Sequence, residues 1–264
     1  MACSELVLRE ARAIPPLPGK TRTKKRAMKI GIVEDQKLFR DLISKVCRED
    51  LECTVEFEAC RGVDAILQIA RSTPEIVLLD LRLADIDGFT VIDYTRASGI
   101  ETRYLVVSCY CSEYAVHRCE QSGISGFIDK YTGMVKQLRD AISAIAGGKC
   151  YFCETFQNTR INQRLNPKSF LKLLSYSEQN VLSLLGAGHD DGSIASILGI
   201  SHGTVEGHRS NLMRKLNLES TAKLIIFAIN HEVQLFRPAE VQSRKRTHQP
   251  LPFGALVDMP RGHK

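Results

Sequence analysis

The 264-residue sequence predicts an α/β doubly wound domain with a five-stranded parallel sheet, followed by an all-α four-helix domain containing a helix-turn-helix. Three observations predict this. Apolar strand runs alternate with helical patterns from Lys29 to Ala146. The runs "IVLLD" and "YLVVS" are continuously apolar, as strands buried on both faces of a parallel sheet are. Beyond residue 172 the strand runs cease and only short helical patterns follow.

Residues 1–27 include "AIPPLPGKTRTKKRA", which combines prolines with a basic run, lacks periodicity and reads as a disordered tail. Met28 opens "MKIGIVED", itself a natural chain start, so the preceding residues are expected to reflect an upstream start choice. Strands are expected at 29–34, 54–60, 76–80, 103–108 and 126–129. Leu38, Leu42 and Val46 repeat every four residues and place a helix after the first strand. Val135, Leu138, Ile142 and Ile145 form the apolar stripe of the last helix in this domain, which spans 28–148. Residues 149–172 have weak pattern and read as a linker.

The second domain is expected over 173–231, with helices at about 177–187, 191–198, 202–216 and 220–231. Ser175 and Glu178 have capping-box spacing, Gly199 can end one helix, and Ser201 can cap the next. Val205, Leu212 and Leu216 should pack on Ile194, Ile197 and Leu198. The apolar last helix, with Ala222, Leu224, Ile225, Ala228 and Ile229, suits either core or a dimer surface. Residues 232–264, with "SRKRTHQP", read as a second disordered basic tail.

Composition is ordinary for a soluble globular protein, at 44% hydrophobic and 25% charged. No apolar run approaches about 18 residues, and no secretory leader pattern is present, so a cytoplasmic protein without membrane contact is expected. Nine cysteines scattered within predicted elements suit a reducing compartment. Cys150 and Cys153 form a CxxC without a second pair, so the spacing for a structural zinc site is missing. The net charge of +6 is uneven: +6 over residues 1–29, −6 over 30–147, +4 over 148–172, −1 over 173–231 and +3 over 232–264. The basic linker and the tail around Arg244, Lys245 and Arg246 could therefore supply sequence-independent phosphate contacts.

The expected strand ends carry a polar constellation. Glu34 and Asp35 end the first strand, Asp80 the third and Ser108 the fourth, and Lys130 follows the fifth. In a doubly wound sheet these side chains meet at one edge. Three carboxylates together call for a hard divalent cation, Mg2+, and the lysine and hydroxyl would complete a phosphoryl pocket.

The motifs "IVEDQ", "LLDLRLADIDG", "VVS" and "GFIDK" resemble the receiver domain of two-component response regulators. The resemblance implies that Asp80 accepts a phosphoryl group from a sensor histidine kinase. Glu34, Asp35 and Asp80, with the backbone carbonyl of Arg82, would hold Mg2+. Lys130 and Ser108 would meet phosphoryl oxygens, and Phe127 would change rotamer on activation. No enzymatic activity is implied beyond phosphorylation and dephosphorylation of the chain's own aspartate. Arg82 also occupies the second site of the DxD spacing used by aspartate-nucleophile phosphatases, which weighs against that class. Departures from the family pattern are Ala84 in place of a common Pro, Cys109 in place of Ala or Gly, and Gln36 in place of His.

"ILGIS", "TV" and "RSNLMRKL" resemble a LuxR-type helix-turn-helix, and the order of parts is similar to the NarL/FixJ class. The resemblance implies promoter DNA as partner, homodimerisation on phosphorylation, and DNA contacts drawn from Ser201, His202, Thr204, Glu206, Gly207, His208, Arg209, Ser210, Arg214 and Lys215. Glu206 stands where Lys is usual, so a carboxylate that phosphates repel replaces a favourable contact. The competing expectation is a degenerate helix-turn-helix acting through a protein partner.

Overall fold

The alternating pattern folds as five β-α units: β1 (Lys29–Val33), α1 (Lys37–Lys45), β2 (Thr54–Ala59), α2 (Gly62–Ser72), β3 (Ile76–Leu79), α3 (Gly88–Ala97), β4 (Arg103–Ser108), α4 (Glu113–Gln121), β5 (Gly126–Asp129) and α5 (Met134–Ala146). The computed structural model describes residues 27–166 and 169–236. The expectations for residues 1–26 and 237–264 therefore lie outside the described residues.

The sheet has six strands where five were expected. Its order is β2-β1-β3-β4-β5-β6, all pairs parallel, and β6 (Tyr151–Phe152) comes from the expected linker. Two residues are too few to show alternation, so the sequence pattern does not mark this strand. Register places Tyr151 against Gly126 and Phe152 against Phe127. The rest of that segment is helical as well, with α6 (Glu154–Leu165) and α7 (Phe170–Leu173). Only Phe156 and Gln163 of α6 are buried, so its apolar periodicity is faint.

The sheet separates two apolar layers. One joins Ile30, Ile32, Leu78, Leu105 and Ile128 to Ile43, Leu138, Ile142 and Ile145 from α1 and α5. The helix expected from the Leu38–Leu42–Val46 repeat is present, but of those three only Val46 is buried: Leu38 is 78% exposed, and α1 turns Ile43 inward. Phe39 and Ile43 are the true inward pair, and the helix widens into a π turn over Val46–Asp50 that buries Val46 and Cys47.

The second layer lies under α2, α3 and α4 and runs without a break into the C-terminal helices. These are α8 (Tyr176–Gly186), α9 (Asp191–Leu198), α10 (His202–Leu216) and α11 (Thr221–Asn230). Ser175 and Glu178 form the capping box at α8. Gly199 adopts a left-handed φ of 63° between α9 and α10, the conformation glycine tolerates best, and Ser201 caps α10 through the Thr204 amide. Val205, Leu212 and Ile194 are fully buried, with Leu216, Ile197 and Leu198 packed around them.

The expected tail boundary at 232 is also corrected. Val233–Leu235 forms a 3-10 turn, and Val233 and Phe236 are fully buried. Phe236 meets Phe89 edge-on at 5.4 Å and Tyr114 at 5.9 Å, joining the C-terminal segment to α3 and α4. Ser183 Oγ donates to its carbonyl at 2.7 Å. Nearby, the buried Arg118 guanidinium lies 4.8 Å from the Phe89 ring and 5.5 Å from that of Tyr176. Phe236→Ala should therefore lower unfolding free energy by about 3–5 kcal/mol, the range for emptying a buried aromatic site. Urea denaturation followed by circular dichroism checks it.

Candidate functional site

Glu34, Asp80 and Lys130 each directly follow a strand, so the parallel sheet delivers them to its carboxyl edge together. Lys130 Nζ donates to Asp80 Oδ2 at 2.7 Å and lies 2.7 Å from Glu34 Oε2. Glu34 is fully buried and Asp80 nearly so. Gly88 permits the close approach of α3: a Cβ there would fall 2.5 Å from the Asp80 carbonyl oxygen. The Arg82 amide donates to Asp80 Oδ1 at 3.3 Å.

Burial dominates the electrostatics. It pushes the Glu34 carboxyl up to about 7, aided by the charge of Asp80 and opposed by Lys130. Burial also raises Asp80, against the pull of Lys130. For Lys130 burial works against the charge, but Asp80 and Glu34 outweigh it and the ammonium is held above its ordinary range. One oxygen each from Glu34, Asp35 and Asp80 lie within 4.8 Å of one another. Asp35 Oδ1 is buried without a hydrogen-bond partner among the described residues. A three-carboxylate set with an unsatisfied oxygen fits a hard divalent cation.

The other expected residues are placed as follows. Ser108 is buried at the end of β4, and its Oγ accepts from the Tyr110 amide at 3.2 Å. Phe127 is fully buried, its ring 5.1 Å from Phe156 on α6. The Arg82 side chain donates to the Tyr110 hydroxyl at 2.5 Å. Sequence reasoning missed two acids that shape the loop after Asp80. Asp85 accepts from the Gly62 and Val63 amides at 2.8 and 3.0 Å, pinning the loop to α2. Asp87 caps α3 through the Thr90 amide at 2.7 Å. Helix-start spacing offered a signal for Asp87, but nothing local marked Asp85.

On α10, Ser201, His202, Thr204, Glu206, Gly207, Ser210 and Arg214 are exposed, and His208 is half-buried. Gly207 has no atom near where a Cβ would sit, so packing does not require glycine there. Two basic residues are engaged within the fold. Arg209 Nη1 meets Asp191 Oδ2 at 2.6 Å, and Lys215 Nζ meets Glu178 Oε2 at 2.7 Å and the Leu173 carbonyl at 3.0 Å. Arg214 is the basic residue of this face left exposed.

Comparison with known proteins matches residues 30–143 to the response regulator receiver domain and residues 172–228 to the bacterial regulatory proteins of the luxR family. A Pseudomonas aeruginosa PAO1 protein, provisionally named a transcriptional regulator, is 30% identical over 78% of this chain and 99% of its own length. The response regulator VraR of Staphylococcus aureus is 25% identical over 78% of this chain and 98% of its own. Among solved structures, RcsB of Salmonella typhimurium superposes with a TM-score of 0.51 at 21% identity, covering 77% of this chain and 99% of that one. An RcsB–DNA complex gives 0.52 at 21% identity, covering 77% and 98%.

Proposed function

Because the chain belongs to the response regulators that join a receiver domain to a LuxR-type DNA-binding domain, we propose that Asp80 accepts a phosphoryl group from a sensor histidine kinase and thereby controls promoter binding. The observation that carries this reading is the buried Lys130 bridging Glu34 and Asp80 beside the unsatisfied Asp35 oxygen. An Asp80 carboxylate oxygen attacks phosphorus, and the phosphorus–nitrogen bond of the kinase phosphohistidine breaks to release imidazole. Glu34, Asp35 and Asp80, with the Arg82 backbone carbonyl, would hold Mg2+, whose charge would offset that of the group in transfer. Lys130 exchanges its contact with Asp80 for a phosphoryl oxygen, and the Ser108 hydroxyl donates to another.

Phe127 then responds to the reordered strand ends. Its ring abuts Phe156, and Thr159 of the same helix hydrogen-bonds the Cys111 carbonyl at 3.3 Å, so α6 feels both β5 and the loop after β4. That gives a physical connection from Asp80 to the helical domain. Homodimerisation is supported by the exposed Ile226 and Ile229 on α11. RcsB has been captured as two dimers on two parallel DNAs, and we extend that mode of partnership to this chain. Cytoplasmic placement suits the eight described cysteines, all free thiols. Among the described residues no helix is long and apolar enough to cross a membrane.

The test of the whole reading is an electrophoretic shift on promoter DNA before and after treatment with Mg2+ and an acyl phosphate. Phosphoryl uptake should come with a change in DNA affinity and in sedimentation. Uptake with neither change would favour the protein-partner alternative. Glu206→Lys separates the same alternatives at the helix: it should raise non-specific affinity and steepen the salt dependence by about one unit of slope. If neither moves in a salt titration, the α10 face does not meet DNA.

A further inference from the structure

The acid at 206 has a second acid and a histidine beside it. One oxygen of Asp191, one of Glu206 and a ring nitrogen of His202 lie within 4.8 Å of one another. His202 and Glu206 stand four apart on the exposed face of α10, the spacing at which two side chains of a helix converge on one ion. Their closest atoms, His202 Nδ1 and Glu206 Oε1, are 3.7 Å apart, beyond hydrogen-bond range. Asp191 comes from the start of α9 and is 8% exposed. Its Oδ2 is taken by Arg209 at 2.6 Å, while its Oδ1 is buried without a hydrogen-bond partner among the described residues. A buried carboxylate oxygen without a donor is a costly arrangement unless something completes it.

We propose that Asp191, His202 and Glu206 form a binding site for a divalent transition-metal ion of the Zn2+ class, and that its occupancy strengthens DNA binding by α10. One imidazole and two carboxylates form a three-ligand set that suits Zn2+ and leaves a fourth position for water. Tetrahedral ligands at about 2.0–2.1 Å are roughly 3.3 Å apart, which rotation of the exposed His202 and Glu206 side chains can reach. Arg209 serves as the outer partner that fixes the Asp191 carboxylate, a common support for ligating acids. The positive end of α9 opposes a cation here, and Asp190 and Asp191 at that end offset it. A bound ion turns the Glu206 region from a surface that repels phosphate into one that tolerates or attracts it. The binding site stands apart from the promoter reading, and only the DNA consequence rests on it.

Cobalt(II) added to the full-length protein in excess Mg2+ provides the test. Excess Mg2+ fills the acidic pocket at Asp80, and thiolate-bound cobalt is recognised by its charge-transfer absorption. His202→Ala and Glu206→Gln alter exposed side chains, so both variants should keep the wild-type circular dichroism. Each should lose one equivalent of non-thiolate cobalt absorption, with affinity for Zn2+ in competition falling at least about tenfold. Cobalt spectra identical to wild type in both variants would overturn the site. Wild-type gel shifts with and without Zn2+ then decide the consequence. Tighter shifts with Zn2+ support it, and equal shifts overturn it. Cobalt binding without any DNA shift would remove the promoter reading and leave the site in place.

Discussion

Asp80→Asn is expected to take up no phosphoryl group from an acyl phosphate in Mg2+, under conditions where the wild-type chain is expected to take up one. The amide is isosteric but lacks the anionic oxygen that attacks phosphorus. Intact-mass measurement reads the result directly, and a variant that still gained the phosphoryl mass would relocate the acceptor. The fold should survive, because Lys130 keeps its contact with Glu34 at 2.7 Å. The sign of the stability change is also fixed. Burial raises the Asp80 carboxyl above its ordinary value of 3.8, so the stability it contributes is present below that value and lost as pH rises through the folded pKa. The asparagine does not titrate, so the variant should lose less stability than wild type between acid and neutral pH. A thermal melt series across that window checks this independently of phosphorylation.

The acidic site was legible because it rests on the sheet itself. Continuous apolar runs mark buried parallel strands, and the polar residue that ends each one must emerge at the carboxyl edge. Glu34, Asp80 and Lys130 therefore converge as their positions in the chain imply. Elements defined by contact rather than by period were not legible. Tyr151 and Phe152 become a strand only because β5 has a free edge, and Phe236 is core only because α3 and α4 present Phe89 and Tyr114 to it. Leu38 shows the converse: its four-residue repeat marks the helix but not its inward face, and the orientation of α1 over the sheet buries Ile43 while Leu38 stays exposed. On α10 the sequence sorted inward from outward faces, yet it could not show that Arg209 and Lys215 are held by acids from α9 and α8.

Lys130→Met is expected to be the most destabilising single change at the acidic site. The ammonium is nearly fully buried, and its removal leaves Glu34 and Asp80 facing each other beside Asp35 without a cation. Breaking a buried ion pair from one side costs about 3–5 kcal/mol, because the stranded charge remains desolvated. The carboxyls can partly escape by binding protons. Glu34 already titrates at about 7 with the lysine present, and its loss pushes both acids higher. Raised acids contribute stability that is fully present below their ordinary values of 4.5 and 3.8 and is lost as pH rises through their folded values, so the variant should approach wild type near about pH 4 and fall furthest behind near about pH 8. Saturating Mg2+ should restore part of the loss at the higher pH, because the uncompensated carboxylates bind it more tightly than the wild-type pocket does; a hundredfold tighter binding returns about 2.7 kcal/mol. Urea denaturation at the two pH values, in chelator and in Mg2+, separates these contributions. A loss independent of pH and of Mg2+ would assign Lys130 to packing against the Phe39 ring, 4.8 Å away, rather than to charge. A loss that grows with pH and shrinks with Mg2+ would show that the lysine and the cation neutralise the same acidic cluster, as the proposed phosphoryl transfer requires.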